Sequence, residues 1–330
     1  MNSNPSPSHF STSENEETFT IELSQRLTVI EAVPFKELCH SIIERSTPPE
    51  IINLDFYQTK FLDSSGIGSL VHAQKIAKKN NINLVLNNVT VPVMSVLSMT
   101  GLDKVFTIES TIQEENPQKK TNTPAPETHP SLRSPIKRGL DILGAIVGLI
   151  ITGIIFLPIA IAIKIDSSGP IFFKQTRCSW LGKQFKIWKF RSMRADAEKL
   201  KSQVENQAKG AIFKNENDPR ITRVGHFLRK TSLDEFPQFW NVLKGEMSLV
   251  GTRPPTPDEV DDYEIPSWQR LNVKPGLTGE WQVNGRSQVL DFEEIVKLDL
   301  RYQENWSLIY DIKLILRTIA VLFTKNSGAV

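Results

Sequence analysis

Apolar and polar residues alternate along Thr18–Ser24 and Arg26–Ile30 with the period of half-buried strands, and Pro34–Arg45 then switches to helical spacing. The exchange continues downstream. Ile51–Phe56 predicts a strand, Ser64–Lys79 a helix, Ile82–Leu86 a strand, and Val91–Thr100 a helix closed by Gly101. Strands alternating with helices predict an α/β domain on a mostly parallel sheet, spanning residues 18–112. Before it, residues 1–17 are rich in Ser, Asn and Glu with no apolar core, the composition of a disordered tail rather than a signal peptide. After it, residues 113–134 are rich in Pro, Thr, Asn and Lys and read as a flexible linker.

The pattern changes at Lys137-Arg138-Gly139-Leu140-Asp141, where an uncharged apolar run begins at Ile142 and continues to Ile163. A helix of that length can cross a hydrocarbon core of about 30 Å. Basic residues flank both ends, Arg133, Lys137 and Arg138 before and Lys164, Lys174 and Arg177 after, which draws both flanks to one side of a membrane. Pro158 lies deep in the run and favours a kink. Residues 135–165 are therefore expected to form a re-entrant membrane helix.

Residues 166–330 form a third pattern. Short alternating pieces between Gly-Pro and Gly-Lys turns predict strands, with Lys189 and Arg191 at the same parity and so on one side. Ala195–Lys209 predicts a polar amphipathic helix. Phe292–Phe323 has helical period, and its last stretch, apolar with interleaved cations, suits a membrane interface.

Charge and cysteine content narrow the function classes. Lys and Arg total 39 against 37 Asp and Glu, so bulk charge does not suggest a nucleic-acid partner. The two cysteines, Cys39 and Cys178, lack metal-ligand spacing, which argues against zinc and disulfide scaffolds.

The candidate chemistry sits in Arg229-Lys230-Thr231-Ser232-Leu233-Asp234-Glu235-Phe236-Pro237 and in Gly251-Thr252-Arg253-Pro254-Pro255. Cations around paired carboxylates suit phosphate handling: arginines hold the anion while the carboxylates supply a nucleophile and a metal ligand. Ser232-Leu233-Asp234-Glu235 also fits a capping box. A start with Asp234 as N-cap is nevertheless preferred, because Pro237 then falls at N3, where its missing N–H removes no helical bond.

The turn Phe61-Leu62-Asp63-Ser64-Ser65-Gly66-Ile67-Gly68 resembles the STAS domain of bacterial anti-anti-sigma factors, over roughly residues 18–112. That resemblance implies Ser65 as a possible regulatory phosphosite and a regulatory protein that docks on the domain.

Residues 135–330 resemble the bacterial sugar transferases, the monotopic polyprenyl-phosphate hexose-1-phosphate transferases. The matching blocks include Lys137-Arg138 with Asp141, Ser168-Gly169-Pro170 and Lys189-Phe190-Arg191-Ser192-Met193. They continue through Asp218-Pro219-Arg220, Leu233-Asp234-Glu235, Asn241-Val242-Leu243-Lys244-Gly245, Lys274-Pro275-Gly276 and Gly285-Arg286-Ser287. The implied architecture is an α/β STAS-like domain followed by a monotopic membrane α+β phosphoglycosyl transferase domain, with a proline-kinked re-entrant helix and interfacial amphipathic helices.

The implied activity transfers a sugar-1-phosphate from a UDP-sugar, a hexose such as glucose or galactose, to undecaprenyl phosphate. UMP is released and synthesis of an exopolysaccharide or other lipid-linked glycan begins. Asp234 is the implied nucleophile and Glu235 the ligand of Mg²⁺. Arg229 and Arg253, with Lys189 and Arg191, are the implied phosphate-binding residues. The implied place is the cytoplasmic face of a bacterial inner membrane, in contact with its lipids.

Three positions depart from the family pattern: Ser179 and Thr252 in turns, the latter leaving Arg253 less rigidly held, and Glu280, expected at an exposed edge. A rival reading is a membrane-tethered STAS signalling adaptor with an inactive transferase domain.

Overall fold

The computed structural model describes residues 10–15, 17–112, 128–213, 215, 217–284 and 291–322. The expected linker between 113 and 127 and the Gly285-Arg286-Ser287 block lie outside the described residues, as do positions 1–9 and 16 of the expected tail. Two compact units emerge, and they are not a linear cut: residues 181–183 and 263–272 belong with the first unit, and the remainder from His129 onward forms the second.

The first unit runs β1 (Ser11–Glu14), β2 (Thr18–Glu22), β3 (Arg26–Leu27), α1 (Val29–Ile43), β4 (Ile51–Asp55), β5 (Phe61–Leu62) and α2 (Ser64–Lys79). Then come β6 (Asn83–Asn87), β7 (Val89–Thr90), α3 (Val91–Thr100), β8 (Thr107–Ile108) and β9 (Thr111–Ile112). The main sheet has the order β1-β2-β4-β6-β8, antiparallel only between β1 and β2. Its inward residues Ile21, Ile52, Leu54 and Leu86 are buried together with Phe35, Ile42, Ile67 and Leu70 of the helices.

Two expectations change here. The tail is not disordered throughout, because Ser11–Glu14 adds an edge strand and Phe10 is buried with its ring 5.8 Å from that of Phe35. Helix α1 begins at Val29, five residues earlier than expected, because Thr28 N and Oγ1 both donate to Glu31 Oε2 and cap it there.

The second unit begins with α4 (Pro130–Arg133), which takes the end of the expected linker, where Leu132 N and Ser134 N already have backbone acceptors. Next come α5 (Pro135–Asp166), β10 (Phe172–Cys178), β11 (Gln184–Phe190), α6 (Arg223–Lys230) and α7 (Phe239–Lys244). The chain continues through β12 (Ser248–Val250), α8 (Pro257–Asp261), β13 (Gly276–Thr278), α9 (Glu280–Asn284), α10 (Phe292–Glu304) and α11 (Leu308–Leu322). Strands β10 and β11 form an antiparallel hairpin, and β12 pairs parallel with β13.

Helix α5 is the axis of this unit. Its 32 residues continue through Pro158 without a break in the helix, a length of about 48 Å at 1.5 Å per residue. One face packs along nearly the whole length: Ala145 clusters with Phe185, Val242 and Met247, and Ile159 and Ile163 cluster with Phe190 and Leu228. Gly144 and Gly148 permit the close approach, since a Cβ on either would lie 2.5 Å or less from Leu249 or Phe239. The other face exposes Leu143, Val147, Ile150, Ile154, Leu157, Ile161 and Ile165, a continuous apolar stripe at helical spacing.

The polar helix expected over Ala195–Lys209 does not form. The segment is a series of turns with a 3-10 piece at Lys201–Gln203. Its backbone is held from outside instead, with Arg194 N donating to Arg220 O and Arg220 Nη1 to Ala197 O. With few apolar positions to bury, a helix there gains little from packing.

Candidate active site

Thr222 caps α6 by accepting from Gly225 N, and a Cβ at Gly225 would lie 1.8 Å from Ser192 O, so only glycine lets α6 approach this backbone. The helix ends at Lys230. Ser232 then adopts a left-handed conformation, φ 56°, and a 3-10 turn runs from Leu233 to Gln238 into α7. The start at Asp234 does not occur: Ser232 is the N-cap, but it makes no side-chain cap, and Asp234 lies inside the turn. The left-handed residue redirects the chain before any capping geometry can be reached.

Asn241 fastens this turn to the hairpin. Fully buried, it donates from Nδ2 to Lys186 O and to Glu246 Oε2 and accepts from Trp188 N, all within 3.1 Å. Gly245, at φ 81°, closes α7, and Arg138 donates to the last carbonyls, Val242 O and Leu243 O.

These elements surround a cavity of about 520 Å³ in the second unit. Asp234, Arg229, Arg253, Lys189 and Arg191 all line it. The sequence-derived site is thus brought together, except that Glu235 stands just behind the wall, where Lys189 Nζ donates to its Oε1 at 2.8 Å. Seven arginines and lysines line the cavity against five carboxylates, so cations outnumber acids on its wall. Its size is that of an ordinary ligand pocket, about 300–1,000 Å³.

The individual cations differ in what they can still do. Arg229 Nη1 is buried with no hydrogen-bond partner among the described residues, the kind of orphaned donor that a phosphate oxygen would satisfy. Arg253 is gripped by Glu259, with Nη1 to Oε2 at 2.6 Å and Nη2 to Oε1 at 3.0 Å, and its guanidinium lies 5.9 Å from the Trp281 ring centroid. The looser hold expected from Thr252 is therefore offset by a carboxylate fork. Arg191 directs its Nη atoms to Ser167 O and Ser168 O, so it fastens the loop that leaves α5 as well as lining the cavity.

Arg177, Arg220, Thr256 and Glu259 are among the wall residues not assigned from sequence. Arg220 is held by Asp218 through Nε at 2.8 Å and Nη2 at 2.6 Å, and Arg220 N also donates to Asp218 Oδ1. Burial acts to raise the Asp218 pKa, but the bonds from Arg220 outweigh it and hold the carboxyl below its ordinary value. Asp-x-Arg with an Asx turn is a sequence signal for this pair. Thr256-Pro257-Asp258-Glu259 carries the other signal, since Thr256 caps α8 by accepting from Glu259 N and thereby orients Glu259. Arg177 donates to Gln175 and to Pro254 O, with no signal in spacing.

Of the remaining departures, Ser179 Oγ donates to Glu246 O, and Glu280 is not at an exposed edge. Only 4% exposed, Glu280 accepts from Tyr310 Oη at 2.5 Å, which gives its charge the partner that burial demands.

Among the described residues no group of three or more His, Cys, Asp or Glu forms a metal cage. Mg²⁺ is commonly held by one or two carboxylates with substrate phosphates and water, so Asp234 and Glu235 beside a cationic cavity fit such an ion.

Ser65 lies in the first unit. Asp63, not a serine, caps α2, its Oδ1 accepting from Gly66 N at 2.9 Å. Ser64 and Ser65 are fully buried, and their hydroxyls have no hydrogen-bond partner among the described residues. Residues 263–272 cover this turn: Ser64 N donates to Asn272 Oδ1 at 2.9 Å, and a Cβ on Gly68 would strike the Trp268 ring at 2.5 Å.

Residues 132–325 match the family model described as bacterial sugar transferase, and residues 9–115 match the STAS domain model. The galactosyl transferase CpsE of Streptococcus agalactiae serotype III is 54% identical over 188 residues, 56% of this chain and 42% of that protein. The UDP-glucose:undecaprenyl-phosphate glucose-1-phosphate transferase of Escherichia coli is 42% identical over 200 residues, 58% of this chain and 41% of that protein. The exopolysaccharide production protein ExoY of Rhizobium meliloti is 38% identical over 198 residues, 58% of this chain and 87% of that protein. The chain thus spans about two-fifths of the length of the first two. Among solved structures, an anti-sigma-factor antagonist (STAS) domain protein from Planctomyces limnophilus is 24% identical, with 32% of this chain and 92% of that one covered and a TM-score of 0.28.

Proposed function

We propose that this chain, which belongs to the bacterial sugar transferase family, transfers a sugar-1-phosphate from a UDP-sugar to undecaprenyl phosphate at the cytoplasmic face of a membrane. The observation that carries the reading is Asp234, 5% exposed, on the wall of a cationic cavity that also holds the orphaned Arg229 donor.

An Asp234 carboxylate oxygen forms a bond to the sugar-bearing phosphorus, and the bond from that phosphorus to the bridging oxygen breaks. UMP leaves with the electron pair. An oxygen of undecaprenyl phosphate then attacks the same phosphorus and returns the carboxylate to Asp234, leaving the sugar on a lipid diphosphate. Both steps bring anion to anion, so Arg229 and Arg253 neutralise phosphate oxygens and lower the barrier. Glu235, oriented by Lys189, and Asp234 would hold Mg²⁺, which when bound supplies further charge neutralisation. Glucose and galactose are the donors named for the relatives, and a neutral hexose is the substrate class proposed here.

Membrane placement is supported by the two faces of α5. A helix packed along nearly its whole length on one folded unit, with an apolar stripe on its other side, suits a monotopic helix better than one that crosses. Ile309, Ile312, Leu316 and Ile319 add a second exposed apolar stripe on α11. A phosphate on Ser65 would require residues 263–272 to leave the turn, so regulation through Ser65 belongs to this proposal only with that release.

The test is UMP release from purified protein given UDP-glucose or UDP-galactose, Mg²⁺ and undecaprenyl phosphate. Activity with either donor is expected. No UMP from any common UDP-hexose overturns the reading and leaves the adaptor alternative. Cysteines placed near residues 125 and 260 should label from the same side of the membrane, and opposite sides would refute the monotopic topology.

A further inference from the structure

The second unit has another cavity, of about 260 Å³, and no residue of the proposed transfer lines it. Its wall includes Ser131, Ser134, Lys137, Arg138, Asp141 and Lys274, beside the start of α5.

The charges do not balance within it. Lys137 Nζ donates to Asp311 Oδ2 at 2.5 Å and to Val250 O at 3.1 Å, so this cation has its carboxylate. Asp141 accepts from Ser248 Oγ and Leu249 N, both at 2.9 Å. Arg138 has only neutral carbonyls as partners. Lys274 has no hydrogen bond or ion pair among the described residues, and Asp141 is the one wall carboxylate left for Arg138 and Lys274 together.

The two cations converge. A Cβ at Gly245 would lie 3.4 Å from Arg138 Nη2 and 3.6 Å from Lys274 Nζ. Burial, followed by the like charge of Arg138, lowers the Lys274 pKa, with Asp141 opposing. An ammonium withdrawn from water without a counter-ion is costly, and an oxyanion with several acceptors would relieve it.

We propose that this cavity is a phosphate-binding site, with Arg138 and Lys274 as the two cationic arms and Ser131 and Ser134 as hydroxyl neighbours. Phosphate is the fitting class because the cavity offers convergent donors and room for a tetrahedral oxyanion. Exposed Ile136 and Leu143 begin the apolar stripe of α5 beside this wall, so a membrane phospholipid can supply the phosphate from its headgroup. That source rests on the membrane placement above. Free inorganic phosphate is the other source of the same chemistry.

The test reads the reactivity of Lys274 in the full chain, in detergent, with an isotopically coded amine-acylating reagent and peptide mass spectrometry. Four conditions are compared: no addition, inorganic phosphate, phosphatidylglycerol vesicles, and vesicles of a phosphate-free galactolipid. Saturating phosphate ligand should slow acylation of Lys274 about tenfold, as occupancy at ten times Kd leaves roughly one site in eleven open. Exposed Lys78 serves as the internal reference, and its rate should not change with phosphate. Protection by phosphatidylglycerol alone assigns the headgroup, and protection by inorganic phosphate as well assigns the bare anion. Unchanged acylation in both, or equal protection by the galactolipid, overturns the site. UMP release is measured on the same preparation. Protection without UMP counts against catalysis alone, and UMP without protection counts against this site alone.

Discussion

At Asp63-Ser64-Ser65 and at Ser232-Leu233-Asp234-Glu235, small polar and acidic residues stand where helical structure begins, yet the surroundings are opposite. In the first turn the acid is an N-cap, the serines are fully buried, and residues 263–272 seal the surface. In the second no side-chain cap forms, a left-handed serine turns the chain, and the acid faces a cavity lined by cations. Similar local sequence therefore gives a turn sealed by neighbouring chain in one place and a turn that borders a cavity in the other. The difference arises from what packs over each turn.

The comparison can be broken most sharply at its acids. Asp234→Asn should lower UMP release by about three orders of magnitude or more, because it removes the proposed nucleophile. Steady-state rates with UDP-hexose check this, with circular dichroism to show that the fold survives. Asp63→Asn should leave turnover within about twofold, since the residue belongs to a cap.

A second contrast concerns charge in the sealed turn. Ser65→Glu places an unpaired carboxylate in a fully buried position and should destabilise the first unit by about 4 kcal/mol. Ser65→Ala should be neutral within about 0.5 kcal/mol, as its hydroxyl has no partner among the described residues to lose. Urea unfolding followed by hydrogen exchange over residues 263–272 separates the two variants.

Asn241→Ala tests what holds the open turn in place. It removes three buried hydrogen bonds and should cost about 2–3 kcal/mol by chemical denaturation. Activity should fall as well, because α7, into which the Asp234 turn runs, loses its hydrogen bonds to β11.

Acid should act with opposite sign on the two units. The Asp218 pKa is held below 3.8, so its stabilising effect is present above that value and is lost as pH falls through the folded pKa. Burial chiefly raises the Asp63 pKa above 3.8, against bonds from Gly66 and Ser65. Its ionisation therefore weakens the fold as pH rises from 3.8 through the raised value. Unfolding curves between about pH 3 and pH 6 for wild type, Asp218→Asn and Asp63→Asn should show these opposite slopes. The smallest effect is expected from Ser232→Gly, within about 1 kcal/mol, because glycine accepts the left-handed conformation without strain.

The sequence made some features legible and hid others for identifiable reasons. Helices α2 and α3 have the bounds that their apolar spacing and the closing Gly101 predict. Strand β1 was hidden because Ser-Thr-Ser-Glu has no apolar residue, and pairing with β2 alone defines it. The cationic character of the site was legible in Arg229, Arg253 and Lys189, since charge beside paired acids is a local pattern. The Glu259 grip on Arg253 and the Asp218 grip on Arg220 are contacts, and spacing alone hints at them only through the capping threonine and the Asx turn. Glu280 was misread because a lone acid gives no sign of Tyr310, thirty residues on.

The central claim is that Asp234 carries the phosphosugar. Purified wild-type protein given a UDP-hexose and Mg²⁺ without lipid acceptor, then quenched in acid and digested, tests it directly. Mass spectrometry should find the peptide containing Asp234 heavier by one hexose phosphate, and undecaprenyl phosphate added before the quench should remove the adduct. The same adduct on Asp234→Asn protein, or its location on another residue of the wild type, would contradict the assignment.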